Sequence, residues 1–269
     1  MGDQTKYTSK LHGKHILVIG GSGGIGYGVA EAALEHGATV TISSSNPTRI
    51  ENSVTSLGAA YPSAKGSNRI HGEACDIGDA STAEANLATL LDKVTSGGTS
   101  KLAHIVWTAG SALDIKPLSA LDATTLTQTG TSRFLSPLLL AKLAPPYMLP
   151  GPESSITLTS GTVSERPLPG WAVMNSYATG LQGMVRGLAL DLAPLRFNLV
   201  CPGAVDTTLW AGMPEEAKKA MFTAIEGTLP TGRVGQVVDV AESYLYFIKD
   251  RNATGSMVST NGGALLKGP

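Results

Sequence analysis

An α/β fold is predicted for this chain: one domain with a doubly wound, seven-stranded parallel sheet and helices on both faces. Three features carry that expectation. Short apolar or β-branched runs alternate with stretches of helical periodicity along all 269 residues. The first such run, His15-Ile16-Leu17-Val18-Ile19, passes through closely spaced glycines into a helical segment, GIGYGVAEAALEHG. No internal repeat or low-complexity linker divides the chain, so residues 1–269 are expected to form one domain.

Taken in order, the first strand ends at Ile19, and Gly20, Gly24 and Gly26 open the first helix. A strand feeding a helix through glycines lets backbone N–H groups approach a pyrophosphate, and the helix N-terminus favours its charge. Dinucleotide binding is therefore expected at Gly20, Ser22, Gly24, Ile25 and Gly26. Further strands are expected at residues 38–45, 69–76, 102–108, 155–160, 197–201 and 256–260. Helices are expected at 48–60, 81–95, 123–148, 173–192 and 237–249. Pro137, which lacks an N–H, predicts a kink in the fourth of these six helices. A looser segment at 204–232, with one short helix at 214–225, is the expected substrate loop. The ligand crevice belongs at the C-terminal ends of the strands.

Composition narrows the function. Hydrophobic residues make up 42% and charged residues 15% of the chain, with a net charge of −1. That balance gives no footprint for nucleic acid or for an anionic membrane, and leaves a small molecule as the expected partner. The apolar runs are far too short to span a bilayer, and the N-terminal ten residues are polar. The two cysteines, Cys75 and Cys201, fall in expected strands and read as buried free thiols in a reducing, cytoplasmic setting. The five histidines show no metal-ligand spacing, so no metal is expected.

Several motifs together resemble the short-chain dehydrogenase/reductase family, a Rossmann fold, from Leu11 to Leu266. They are the spacing G-x-x-x-G-x-G at Gly20, Gly24 and Gly26, the pair Asp76-Ile77, the turn Thr108-Ala109-Gly110, and Pro202-Gly203. The resemblance implies a nicotinamide cofactor, with Asp76 and Ile77 at the adenine and Ala109 and Gly110 beside the crevice. Pro202, Gly203, Val205 and Thr207 would then lie at the nicotinamide. A homo-oligomer, dimer or tetramer, is expected with it. The choice of cofactor follows from chemistry. NAD preference usually shows as a carboxylate at the end of the second strand, on the ribose hydroxyls. Here Ser43, Ser44 and Ser45 stand there, with Arg49 after them. Hydroxyls and a guanidinium suit a 2′-phosphate, so NADP(H) is expected; Arg49 as mere decoration of a helix start is the other reading.

The family's catalytic residues are missing. A gapless alignment puts Gly161 at its Ser, Met174 at its Tyr, Ala178 at its Lys and Arg133 at its Asn. Ordinary Tyr–Lys carbonyl reduction has no proton donor here. Arg133, on an apolar helix, needs an anion, and Glu165 in the loop after the fifth strand is the expected partner. Such a pair would be catalytic, or a salt bridge that pins the loop. Met174, Tyr177, Trp171 and Trp210 are assigned to a bulky, apolar substrate pocket, with packing against a neighbouring helix or an oligomer partner as the competing role for Tyr177. Arg in the Asn position resembles a mostly fungal branch of the family that includes reductase–cyclases of prenylated indole alkaloid biosynthesis. That resemblance implies NADPH-dependent reduction of an iminium or activated carbonyl of a secondary metabolite. The alternatives are a cofactor-bound isomerase or cyclase, and an inactive nucleotide-binding protein.

Overall fold

The computed structural model describes residues 4–111 and 115–266. Strand β1 (His15–Ile19) leads into α1 (Gly24–Glu35), followed by β2 (Thr39–Ser44), α2 (Pro47–Ala60), the short α3 (Pro62–Gly66) and β3 (Ile70–Ala74). After α4 (Ala83–Thr95) and β4 (His104–Trp107) come α5 (Ala123–Gly130), α6 (Ser136–Leu143) and β5 (Ser155–Thr159). The chain closes with α7 (Ala172–Asp191), β6 (Arg196–Pro202), α8 (Glu215–Thr228), α9 (Val237–Lys249) and β7 (Ser256–Thr260).

All seven strands are parallel, in the order β3-β2-β1-β4-β5-β6-β7. The chain winds outward from β1 to β3, crosses back to lay β4 against β1, then winds the other way. That reversal is the switch point at which open α/β sheets bind ligands. Alternate residues of β1 feed two cores. Ile16 and Val18 pack with Val29 of α1, Leu57 of α2 and Tyr244 of α9. Leu17 and Ile19 pack with Leu87 of α4, Leu140 of α6 and Val185 of α7. Covering both faces explains why the central strands read as unbroken apolar runs.

The expected seven-stranded doubly wound sheet is observed, with two local corrections. The helix expected at 123–148 is not one helix kinked at Pro137. A π turn at Thr131–Leu135 separates α5 from α6, and Pro137 sits in the first turn of α6. The Ser136 N–H reaches back five residues to the Thr131 carbonyl. Pro137 offers no N–H to the Arg133 carbonyl, and the ladder relaxes in the turn before the proline rather than bending at it. Pro145 and Pro146 lie in a separate 3-10 turn beyond α6. The second correction is Cys75, which lies just past β3 rather than within it, though it stays buried and free.

Candidate active site

The glycine loop is shaped by contact as much as by flexibility. Gly20 has φ +92°, and a Cβ there would lie 2.5 Å from the Ala109 nitrogen; a Cβ on Gly26 would collide with the Gly20 carbonyl. The turn after β1 is thus pressed against the turn after β4, and the Thr108 hydroxyl donates to the Ile19 carbonyl at 3.3 Å. No side chain caps α1, so the N–H groups of its first turn are left for an anion. A Cβ on Gly24 would come 3.3 Å from Thr207, and one on Gly23 3.3 Å from the Thr208 hydroxyl. The start of the expected substrate loop therefore lies over the phosphate cradle. Ser22 bonds from its carbonyl to the Ser53 hydroxyl, 3.0 Å, and Ile25 packs against the core beneath. Uncapped donors and a cradle that side chains would fill fit a dinucleotide pyrophosphate.

At the ribose end, Ser45 and Arg49 are exposed and Ser44 is half-buried. Asn46 caps α2 by accepting the Arg49 N–H at 3.0 Å, which fixes the Arg49 backbone while its guanidinium stays in solvent. Ser43 departs from expectation. It is fully buried, its hydroxyl has no partner, and only its carbonyl serves the site, accepting from Gly20 and Gly21. Successive strand residues face opposite sides, so Ser43 and Ser44 cannot both reach one ribose. Asp76 is exposed and accepts the Gly78 N–H at 2.9 Å; Ile77 is buried, its carbonyl taking the Ser136 hydroxyl at 3.0 Å.

Across the switch point, the Ala109 carbonyl accepts the Trp107 indole N–H at 3.1 Å, and Gly110 lies under the Arg133 guanidinium. Pro202 holds the loop after β5 through the Thr162 hydroxyl, 3.0 Å from its carbonyl, and Gly203 pairs with the Thr260 carbonyl at 2.9 Å. Val205 is buried and bridges to Gly235, while the Thr207 hydroxyl caps the next turn by accepting the Leu209 N–H.

Arg133 and Glu165 are not paired. Arg133 donates through Nη2 to the Ser111 carbonyl, with its guanidinium stacked where a Gly110 side chain would be. Its Nε–H is buried and has no partner. Burial alone pulls the guanidinium below the ordinary arginine value, and among the described residues no carboxylate lies within ion-pair distance. Glu165 is exposed and turned towards β7, where it accepts the Ser259 hydroxyl at 3.2 Å. It also lies near Cys201, whose thiol is raised to about 11 by burial and by this carboxylate. The loop after β5 is held on the β6–β7 side by this bond and by Arg166, which donates to the Ala264 carbonyl at 2.5 Å. The expected ion pair is therefore corrected: the loop carries Glu165 to the far side of the crevice.

The positions of the family's Ser, Tyr and Lys carry no acid or base. A Cβ on Gly161 would lie 3.7 Å from the Pro202 carbonyl, so the missing serine is a matter of sequence and not of space. Met174 and Trp171 line a small cavity with Thr125, Thr129, Ile115 and Leu121. Tyr177 is not among its walls. Its ring packs on Phe134 with centroids 5.7 Å apart, and its hydroxyl donates to the Leu126 carbonyl at 3.0 Å. The glycine at 130 makes room for that ring. Trp210 is likewise not a wall; its N–H donates to the Val205 carbonyl at 2.9 Å and its ring meets Phe222 edge-on. Both aromatics fasten helices and loops. Sequence reasoning missed Ser132, whose hydroxyl accepts the Ser111 N–H at 3.1 Å, beside the Arg133 bond to the same residue. It also missed Thr129, spaced four residues from Arg133, a helical repeat that could have drawn attention to it.

Comparison with known proteins agrees with this geometry. A family model described as an SDR-like Rossmann domain matches residues 7–267. The short-chain dehydrogenase/reductase fsr5 of Gibberella fujikuroi is 41% identical, over 99% of this chain and 100% of its own. The short-chain dehydrogenase/reductase malC of Malbranchea aurantiaca is 40% identical over 96% of each chain. The solved structure of MalC reductase/Diels-Alderase superposes with a TM-score of 0.91 at 39% identity, covering 97% of this chain and 100% of that one. A small-chain dehydrogenase crystallised with NADPH matches with a TM-score of 0.73 at 25% identity, over 94% of this chain and 99% of its own. Among the described residues no helix is long and apolar enough to cross a membrane. With the sheet order, the glycine cradle and these likenesses on one chain, the protein is an enzyme of oxidoreductase or cyclase type and belongs to the short-chain dehydrogenase/reductase family.

Proposed function

We propose that the protein is an NADPH-dependent reductase of a bulky secondary metabolite, acting as one domain in which residues 204–232 form the substrate loop. Bound NADPH supplies the hydride. The uncapped first turn of α1 and the glycine loop hold the pyrophosphate, and Asp76 and Ile77 flank the adenine. Ser44, Ser45 and Arg49 take the 2′-phosphate in place of a carboxylate. Trp171 and Met174 shape one apolar end of the substrate site. The observation that carries the catalytic reading is Arg133, a guanidinium with an unpartnered buried N–H at the crevice edge of the β4 turn. It supplies charge stabilisation where the family's hydroxyl donors are missing. A cyclase reading has one support, the reductase/Diels-Alderase structure at 39% identity. Exposed Leu126 and Leu138, on α5 and α6, and Leu190 on α7 support a homo-oligomer.

Fluorescence titration tests the cofactor assignment. The protein is expected to bind NADPH at least tenfold tighter than NADH, about 1.4 kcal/mol. Arg49→Ala should erase most of that preference while leaving NADH affinity unchanged. Equal affinities in the unaltered protein would refute the assignment.

A further inference from the structure

The turn just past β3 is held by two helices that are far apart in sequence. The Asn86 amide on α4 donates to the Asp76 carbonyl at 2.8 Å. The Ser136 hydroxyl at the start of α6 donates to the next carbonyl, that of Ile77, at 3.0 Å. Neither residue type is a strong helix former. Hydroxyls in this chain's helices commonly turn back to the carbonyl four residues earlier, as those of Thr89, Thr95 and Ser176 do. Ser136, fully buried, instead spends its hydroxyl on a turn 59 residues away.

These two bonds orient everything else in the turn. A trans peptide unit is planar, so its C=O and N–H point in opposite directions. With the Asp76 carbonyl drawn to α4, the Ile77 N–H is turned away from that helix, and among the described residues it has no acceptor. In the next unit the Ile77 carbonyl is drawn to α6. The Gly78 N–H of that unit points the other way, to Oδ1 of Asp76 at 2.9 Å. The Asp76 carboxylate is thereby anchored through one oxygen, and Oδ2 stays unbonded on an exposed residue. Consecutive residues at the crevice end of β3 thus offer one free acceptor and one free N–H donor. Adenine presents the complement, a 6-amino donor beside the N1 acceptor. Hypoxanthine reverses both atoms, and its 6-oxo group would set two acceptors against each other at Asp76.

We infer, building on the dinucleotide reading above, that Asn86 and Ser136 are positioning residues for recognition of the cofactor's base. By holding two successive carbonyls, they set Asp76 Oδ2 to accept from the 6-amino group and the Ile77 N–H to donate to N1. Neither side chain touches the cofactor. Losing either frees a peptide unit to rotate, and the cost falls on the choice of base rather than on the pyrophosphate cradle.

Fluorescence titration with NADPH and with its reduced hypoxanthine analogue isolates the base, because the two dinucleotides differ only at the purine's Watson–Crick edge. The unaltered protein is expected to bind NADPH at least tenfold tighter than the analogue. Asn86→Ala and Ser136→Ala should each cut that ratio to about threefold or less, by weakening NADPH and leaving the analogue within about twofold of its original affinity. Ser53→Ala serves as the control, since the Ser53 hydroxyl holds the Ser22 carbonyl in the glycine loop. It should weaken both dinucleotides alike and keep the ratio. Each of the two variants is decisive alone, so one that fails to fold leaves the other to decide. A ratio unchanged in the folded variants, equal weakening of both dinucleotides, or a ratio that collapses in Ser53→Ala as well would overturn the inference. Equal affinities in the unaltered protein would do the same. If NADH proves the tighter cofactor, the NADPH assignment falls, and the same ratio taken with NADH and its hypoxanthine analogue still decides for or against Asn86 and Ser136. Failure to bind any of these dinucleotides would overturn the dinucleotide reading itself.

Discussion

Two arginines are drawn into this protein at opposite ends of the sheet, and they are treated in opposite ways. Arg196, at the start of β6, is 2% exposed. Its Nε donates to the Pro152 carbonyl at 2.7 Å, and its Nη1 to the carbonyls of Phe247, Asp250 and Ala253 at 2.7, 2.9 and 3.1 Å. Its Nη2 reaches the Ile248 carbonyl at 3.3 Å. Three of those acceptors are at or just past the C-terminus of α9, where carbonyls have no helical partner. Burial lowers its pKa to about 10, with Asp250 and Glu153 opposing that shift. Arg133 makes one carbonyl bond and keeps a buried N–H unmatched. One guanidinium is used up by carbonyls of the fold, whereas the other keeps an unmatched N–H beside the β4 turn. A buried donor without a partner costs about 1–3 kcal/mol, and a fold retains such a group where something outside the chain completes it.

The largest effect should come from the satisfied arginine. Arg196→Met removes the donor for five carbonyls, including the end of α9, and should destabilise the protein by about 4 kcal/mol. Thermal melting should fall by on the order of 10 °C. Turnover per folded molecule should change little, since Arg196 lies at the opposite end of the strands from the crevice. A melting temperature within a degree or two of the original would show that the carbonyl network is not what holds α9 to the sheet.

Arg133 should give the reverse pattern. Arg133→Ala is expected to leave the melting temperature unchanged or slightly raised, because it removes a desolvated, under-bonded charge. NADPH affinity should hold, while turnover falls about 100-fold or more, near 3 kcal/mol at the transition state. Measuring melting, cofactor affinity and turnover on the same preparation separates the outcomes. A large loss of stability with turnover intact would make Arg133 a second Arg196.

Much of the fold could be read from the sequence because it is locally encoded. The strand-to-helix glycines, the apolar runs and their alternation give seven strands and their crossovers without tertiary information. The π turn at Thr131–Leu135 was only half legible. Pro137 announces a missing donor, but whether the helix bends at the proline or widens one turn earlier depends on packing against α7. Strand alternation already contained the burial of Ser43, since neighbours in β2 face opposite layers. The Arg133–Glu165 pairing failed for a different reason. Loop residues are steered by anchors distant in sequence, here Ser259 on β7, and no local pattern shows which way a loop carboxylate turns. Arg196 was visible as a charge opening the apolar run RFNLVC, but its five acceptors come from segments more than 40 residues away.

The smallest expected effect links back to the satisfied end of the sheet. His104, on β4, is fully buried and shares a 2.9 Å hydrogen bond with the Ser155 hydroxyl. Burial first, and then the charge of Arg196, lower its pKa to about 3. In the unfolded chain it titrates near 6.5, so between these values the unfolded state binds a proton that the folded state refuses. Stability contributed by neutral His104 is therefore complete above about pH 6.5 and is lost as the pH falls towards 3. At pH 5 the loss from this residue should be about 2 kcal/mol. Denaturant unfolding of the unaltered protein and of His104→Gln at pH 7.5 and pH 5 isolates it, because His15, lowered to about 4 by burial, contributes equally to both. The unaltered protein should lose about 2 kcal/mol more than the variant over that interval. Parallel losses would show that the imidazole takes up its proton in the folded state and that the buried end of the sheet tolerates charge as readily as the crevice does.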